Sequence, residues 1–124
     1  MENIVIIGAG PAGLLLAHYL RQQRPGDRIT IYEKRPDPSQ VDLSSQRSFP
    51  ISLQTRGLEA LRGIPGLVDA LSPEGIWSTT AYFYNSKGKA RRIKREQATF
   101  ITDRNQVVRT LLALSLIHIS EPTR

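Results

Sequence analysis

Gly8-Ala9-Gly10-Pro11-Ala12-Gly13 decides the fold, because its three glycines stand at the spacing G-x-G-x-x-G. Alone, a six-residue pattern of this kind is often fortuitous. Here both flanks agree with it. Asn3 to Ile7 is a short, almost wholly apolar run, which predicts a parallel strand buried on both faces. Pro11 stands where a helix opens, a position that tolerates its missing N–H, and Leu14 to Gln23 supplies the helix. Arg24-Pro25-Gly26-Asp27 stops it, and Arg28 to Glu33, with β-branched Ile29, Thr30 and Ile31, reads as a second strand. The result is a β-α-β unit.

Each part of the motif has a chemical reason. Gly8 permits the tight turn, Gly10 lets the backbone approach a pyrophosphate, and Gly13 lets helix and strand pack closely. The free N–H groups and positive dipole end of the helix then face the diphosphate. Small Ala17, one turn after Gly13, keeps the helix near the sheet. Glu33 closes the second strand twenty residues after Gly13, where a carboxylate accepts hydrogen bonds from both ribose hydroxyls. That charge repels a 2′-phosphate, which argues against NADP at this site. The residues predict an adenine-dinucleotide site and leave FAD and NAD both open.

Further along, Pro36 to Ser48 is polar and reads as an irregular connection. Leu53 to Arg62 and Pro65 to Leu71 read as short helices burying Leu58, Leu61, Leu67, Val68 and Leu71. Ile76 to Tyr84, Ala90 to Arg95 and Thr99 to Thr102 read as strands, with a turn at Ser86-Lys87-Gly88, and Arg104 to Ala113 returns to helix. The expected fold is α/β: a Rossmann-like, three-layer FAD-binding domain whose parallel sheet begins with the β-α-β unit.

Resemblance separates the two cofactors. The stretches NIVIIGAGPAGLLLAHYL (3–20) and ITIYEKRPDP (29–38) resemble the amino terminus of class A flavoprotein monooxygenases, with the kynurenine 3-monooxygenase branch nearest. Arg47-Ser48-Phe49-Pro50-Ile51-Ser52-Leu53, Arg56-Gly57, Ala60-Leu61, Gly75-Ile76 and Asp103-Arg104 through Leu111-Leu112 continue the likeness across residues 3 to 113. It implies FAD as cofactor, NAD(P)H as co-substrate, and hydroxylation of a small, aromatic substrate with dioxygen. It also implies that Gly8, Gly10, Ala12 and Gly13 hold the pyrophosphate, and that Glu33, with Lys34 and Arg35, holds the adenosine. Ser52 contributes its backbone, Arg104 reaches the flavin's phosphate side, and Arg47 is a further cofactor contact. The branch clamps its substrate's amino-acid group with an arginine and a tyrosine, whose positions here fall at about Ala81 and Arg95. Without that arginine a carboxylate substrate loses its bidentate anchor. Two alternatives stand beside this reading: an FAD-dependent reductase or cyclase of the same fold, and an NAD-binding Rossmann module.

Composition narrows the classes. There is no cysteine, which excludes disulfides and thiolate metal sites, and no metal cluster or Ser/His/Asp arrangement is visible. Met1 leads straight into a strand without a basic leader, and the longest apolar run, Leu111 to Ile119, is too short to span a bilayer, so the expected location is cytoplasmic. Much of the net charge of +6 sits at Lys87, Lys89, Arg91, Arg92, Lys94 and Arg95. That pattern reads as a solvated strand face, so nucleic acid is not an expected partner, whereas membrane association of a longer protein stays open. His18 reads as structural, and Trp77 as a core or strand-edge residue. The last eleven residues, LSLIHISEPTR (114–124), resemble the translation of a transposase sequencing adapter. The expected organisation is therefore the N-terminal part of an FAD-binding domain over residues 1–113, followed by non-native read-through over 114–124 that projects or rests loosely on the surface. On this reading the truncated chain is inactive by itself.

Overall fold

A computed structural model describes residues 1–37 and 49–114, together with the backbone of 119–120. The β-α-β unit forms as its residues predict. β1 (Asn3–Ile7) and β2 (Arg28–Tyr32) run parallel, with Asn3 opposite Arg28 and Ile7 opposite Tyr32. The Gly8 N–H donates to the Tyr32 carbonyl at 2.8 Å, which carries the ladder one residue into the glycine turn. α1 (Pro11–Gln23) starts at the proline and buries Leu14, Ala17 and His18. Its C-terminal end is tied down by charge. Arg24 pairs with Glu2 at 2.9 Å and with Asp27 at 2.5 Å, while Asp27 also accepts the Glu2 N–H at 2.8 Å.

A second sheet is antiparallel, in the order β3-β5-β4, from β3 (Pro50–Leu53), β4 (Gly75–Tyr84) and β5 (Ala90–Asp103). The sequence predicts two strands where β5 is one. Thr99 lies opposite Ser78 and Lys94 opposite Thr80, so β5 carries extra residues as a bulge instead of ending there. β3 also shortens the next helix. Because Pro50–Leu53 pairs with Phe100–Asp103, α2 (Thr55–Arg62) begins at Thr55 and not at Leu53. α3 is confined to Leu67–Leu71, after Gly66 at φ +78°, and a 3-10 turn covers Ser72–Glu74.

α4 (Arg104–Ala113) begins where Asp103 caps it, accepting the Asn105 N–H at 2.8 Å. It buries Val107, Val108 and Leu111. One core joins the layers: Leu14, Ile31, Leu67, Leu71, Phe100 and Leu111 are all fully buried. His18 is structural, as expected, with its Nε2 2.9 Å from the Leu111 carbonyl, which locks α1 to α4.

Two expectations need correction. β1 is buried on one face only: Ile6 is buried and Ile4 packs on the core, but Val5 is 57% and Ile7 80% exposed. Among the described residues no layer covers that side of the parallel sheet, so two of the three expected layers are present. The tail does not simply project, either. β6 (Ile119–Ser120) adds to the parallel sheet beside β2, with Ile119 opposite Ile31 and Ser120 opposite Tyr32. α4 itself ends at Ala113, with Leu114 as its C-cap.

Candidate functional site

The glycine turn is built by steric necessity. Gly8 has φ +101°, a conformation that favours glycine, and the space where its Cβ would lie is open. At Gly13 a Cβ would sit 2.3 Å from the Gly8 carbonyl oxygen and 3.4 Å from Ile6 Cγ2. Gly13 thus lets the helix fold back over its own turn, because backbone leaves no room for any side chain. Gly10 is the N-cap of α1, in extended conformation and without a side-chain capping bond. The first turn carries no acidic residue, and no side chain caps its N–H groups.

Glu33 lies at the C-terminal end of β2, held against this turn. Its Oε2 accepts the Ala9 N–H at 2.6 Å, and its Oε1 accepts the Arg35 N–H at 3.0 Å. Partial burial pushes the carboxyl's pKa up. The N–H groups of Ala9 and Arg35, the Arg35 charge and the Lys34 N–H outweigh that burial and hold the pKa below the ordinary glutamate value. Glu33 is therefore ionised and fixed in orientation before any ligand arrives. Lys34 and Arg35 are exposed beside it, and the Arg35 Nε is 3.9 Å from Glu33 Oε1.

Arg104 comes to the same place from the far end of the chain. Its N–H donates to the Phe49 carbonyl at 3.1 Å, which seats the start of α4. Its Nη2 lies 3.1 Å from where a Gly10 Cβ would be. Among the described residues no carboxylate pairs with this guanidinium, so a cation and the positive end of α1 meet at one point. Such a pairing suits an anion.

The structure thus gathers Gly8, Gly10, Gly13, Glu33 and Arg104, with Ala12 exposed on the first turn of α1. Ser52 is placed elsewhere, exposed on β3 opposite Ile101 in the antiparallel sheet. Arg47 lies outside the described residues. Ala9 is the residue that sequence reasoning missed. Its contribution is a backbone N–H, which any small residue in that position supplies, and its only signal is its place between two fingerprint glycines. Among the described residues no group of histidines, cysteines and acids could hold a metal ion.

The fold is shared with known proteins. The NAD(P)-binding Rossmann-like domain family matches residues 6–54. The kynurenine 3-monooxygenase of Salinispora tropica is 42% identical over 71 residues, which cover 56% of this chain and 15% of that protein. The corresponding protein of Stenotrophomonas maltophilia is 52% identical over 61 residues, covering 49% of this chain and 13% of its own length. Among solved structures, 2-methyl-3-hydroxypyridine-5-carboxylic acid oxygenase superposes with a TM-score of 0.77 at 23% identity, over 98% of this chain and 31% of that one. An FAD-containing monooxygenase of Photorhabdus luminescens gives 0.72 at 23% identity, over 98% and 30%. The chain thus spans about one seventh of those curated relatives and under a third of the solved structures. At these identities the structural likeness shows the fold: an α/β Rossmann-like unit with a parallel sheet.

Proposed function

We propose that this chain is the dinucleotide-binding N-terminal part of a flavin-dependent monooxygenase, which uses FAD, NAD(P)H and dioxygen to hydroxylate a small aromatic substrate. The observation that carries the proposal is the fixed carboxylate of Glu33 against the Ala9 N–H at 2.6 Å, at the end of β2. It leaves an ionised acceptor beside the glycine turn that opens an uncapped helix, which suits an adenine dinucleotide. The names of the sequence relatives and of the superposed structures support flavin hydroxylation among the enzymes that use such a site.

The donor set fits the cofactor. The N–H groups at the start of α1 and the Arg104 guanidinium would hold the diphosphate, Glu33 the ribose, and Lys34 and Arg35 the adenosine flank. When bound, FAD would supply the redox chemistry, and the residues described here bind and orient it. The substrate pocket would be completed by segments beyond this chain, so the chain alone would be inactive.

The experiment is to recover the longer gene, express its product and record a flavin spectrum. A yellow protein that exchanges FAD is expected. A colourless one that cannot be reconstituted with FAD overturns the reading. The family match to NAD(P)-binding domains favours a second reading, a nicotinamide module, and the same spectrum separates the two. An FAD-dependent reductase or cyclase of the same fold would show the flavin but no substrate-dependent oxygen uptake.

A further inference from the structure

α1 and α4 reach the same site from one direction. Gly10 caps the start of α1, and the Arg104 Nη2 at the start of α4 lies 3.1 Å from where a Gly10 Cβ would be. His18 stands seven residues on from Pro11, and Leu111 seven residues on from Arg104. At that level the helices meet again, with His18 Nε2 2.9 Å from the Leu111 carbonyl. Equal offsets mean that the two helices run side by side with their N-termini level. Seven helical residues rise about 10 Å, so this bond sits about 10 Å behind the point where Gly10 and Arg104 meet.

The bond answers a local need. Leu111 lies in the last four residues of α4, whose carbonyls lack an N–H partner further along the helix. The Leu114 N–H serves the Thr110 carbonyl at 3.1 Å, and His18 serves the next one. A carbonyl only accepts, so His18 Nε2 carries a proton and donates. His18 shares the buried face of α1 with Leu14 and Ala17, and α4 buries Val107, Val108 and Leu111. An apolar side chain of similar volume would fill the same space; the histidine adds direction.

Direction matters at the far end. The Arg104 N–H on the Phe49 carbonyl ties α4 to the chain before β3, whereas His18 ties it to α1 itself. A tilt of about 5° pivoted at His18 carries a group about 10 Å away by about 0.9 Å, more than the roughly 0.5 Å that a fixed binding constellation tolerates. A guanidinium fork is sensitive to such a shift, because its two N–H groups must meet phosphate oxygens together. We propose that His18 is a positioning residue for the cofactor: by setting α4 against α1, it fixes the Arg104 guanidinium over the diphosphate that the α1 N-terminus binds. This rests on the dinucleotide reading above and extends it to a buried residue behind the site.

The test is FAD titration of the longer protein, read by flavin fluorescence, in a double-mutant cycle of His18→Leu and Arg104→Gln. Arg104→Gln should weaken binding by on the order of tenfold to a hundredfold, as for a lost charged hydrogen bond. His18→Leu should weaken it by about three- to tenfold alone and by less than about twofold beside Arg104→Gln, since groups that act through one another are not additive. His18→Gln keeps a donor of similar reach and should stay within about twofold of wild type. Phosphorus NMR of bound FAD should show its diphosphate resonances moving in the same sense for His18→Leu as for Arg104→Gln, and staying put for His18→Gln. Circular dichroism is the fold control, and His18→Met, also without a donor, replaces the leucine variant should that one not fold. Equal losses from the apolar variant with and without Arg104, diphosphate resonances that ignore it, or no rescue by glutamine would each overturn the proposal. A wild-type protein that takes up no FAD would instead overturn the cofactor reading on which it stands.

Discussion

At Glu33 two backbone N–H groups do what a ligand would otherwise have to do: they orient the carboxylate and keep it charged. Glu33→Arg should weaken FAD binding by about 2–4 kcal/mol, through lost charge-assisted hydrogen bonds, as read by flavin fluorescence titration of the longer protein. The same residue sets a pH dependence. Because its folded pKa lies below the ordinary value, its contribution to stability is full above that ordinary value. It is lost as pH falls through the lowered one. Urea unfolding of wild type and Glu33→Gln should therefore differ at neutral pH and converge in acid; a constant difference would contradict the assignment. The glycines and Glu33 were legible in the sequence because each answers a local demand of the β-α-β turn. The Arg104–Gly10 contact was not readable from spacing, since ninety-four positions separate the two and only the packing of α4 brings them together. For Arg104 the pointer was family resemblance; the structure places its guanidinium beside Gly10.

Helices and strands were legible where periodicity was local, and misread where a partner strand decides. α1 and α4 fall close to their predicted positions, because Pro11 and Asp103 mark their starts. β5 was split in two because Glu96 and Gln97, polar, and small Ala98 between its halves look like a loop; pairing with β4 holds them in one bulged strand. The exposed side of β1 belongs to the same lesson. An almost wholly apolar run says that Val5 and Ile7 want cover, not that the described residues provide it. Between elements, the contact of His18 with the Leu111 carbonyl makes α1 and α4 one unit. His18→Ala should cost about 2–3 kcal/mol in chemical denaturation, from a lost buried hydrogen bond and a cavity. A cost under about 0.5 kcal/mol, the range of surface changes, would show that the helices pack without it.

For the molecule as a whole, the substrate question turns on Ala81 and Arg95, which are half-buried on β4 and β5. With alanine at the position that the resemblance gives to the kynurenine branch's arginine, the proposed longer protein should not oxidise NADPH in response to L-kynurenine. Robust kynurenine-dependent turnover would place the anchor elsewhere. The reading of residues 114–124 as adapter-derived predicts that deleting them changes stability by about 0.5 kcal/mol or less, since they were never selected to pack here. It also predicts that resequencing the locus with a transposase-free library will replace LSLIHISEPTR after Ala113. A locus that still encodes it requires the segment to be explained as protein.

The pairing of Ile119 and Ser120 with β2 has a consequence of its own. Side-chain history is irrelevant to main-chain donors and acceptors, so the rim of β2 works as a berth open to any extended passer-by of suitable length. With β6 moored alongside, β2 is shielded on that side from other copies of this chain. With the berth filled, the fibre-forming encounter between two bare rims is denied its starting point on that side.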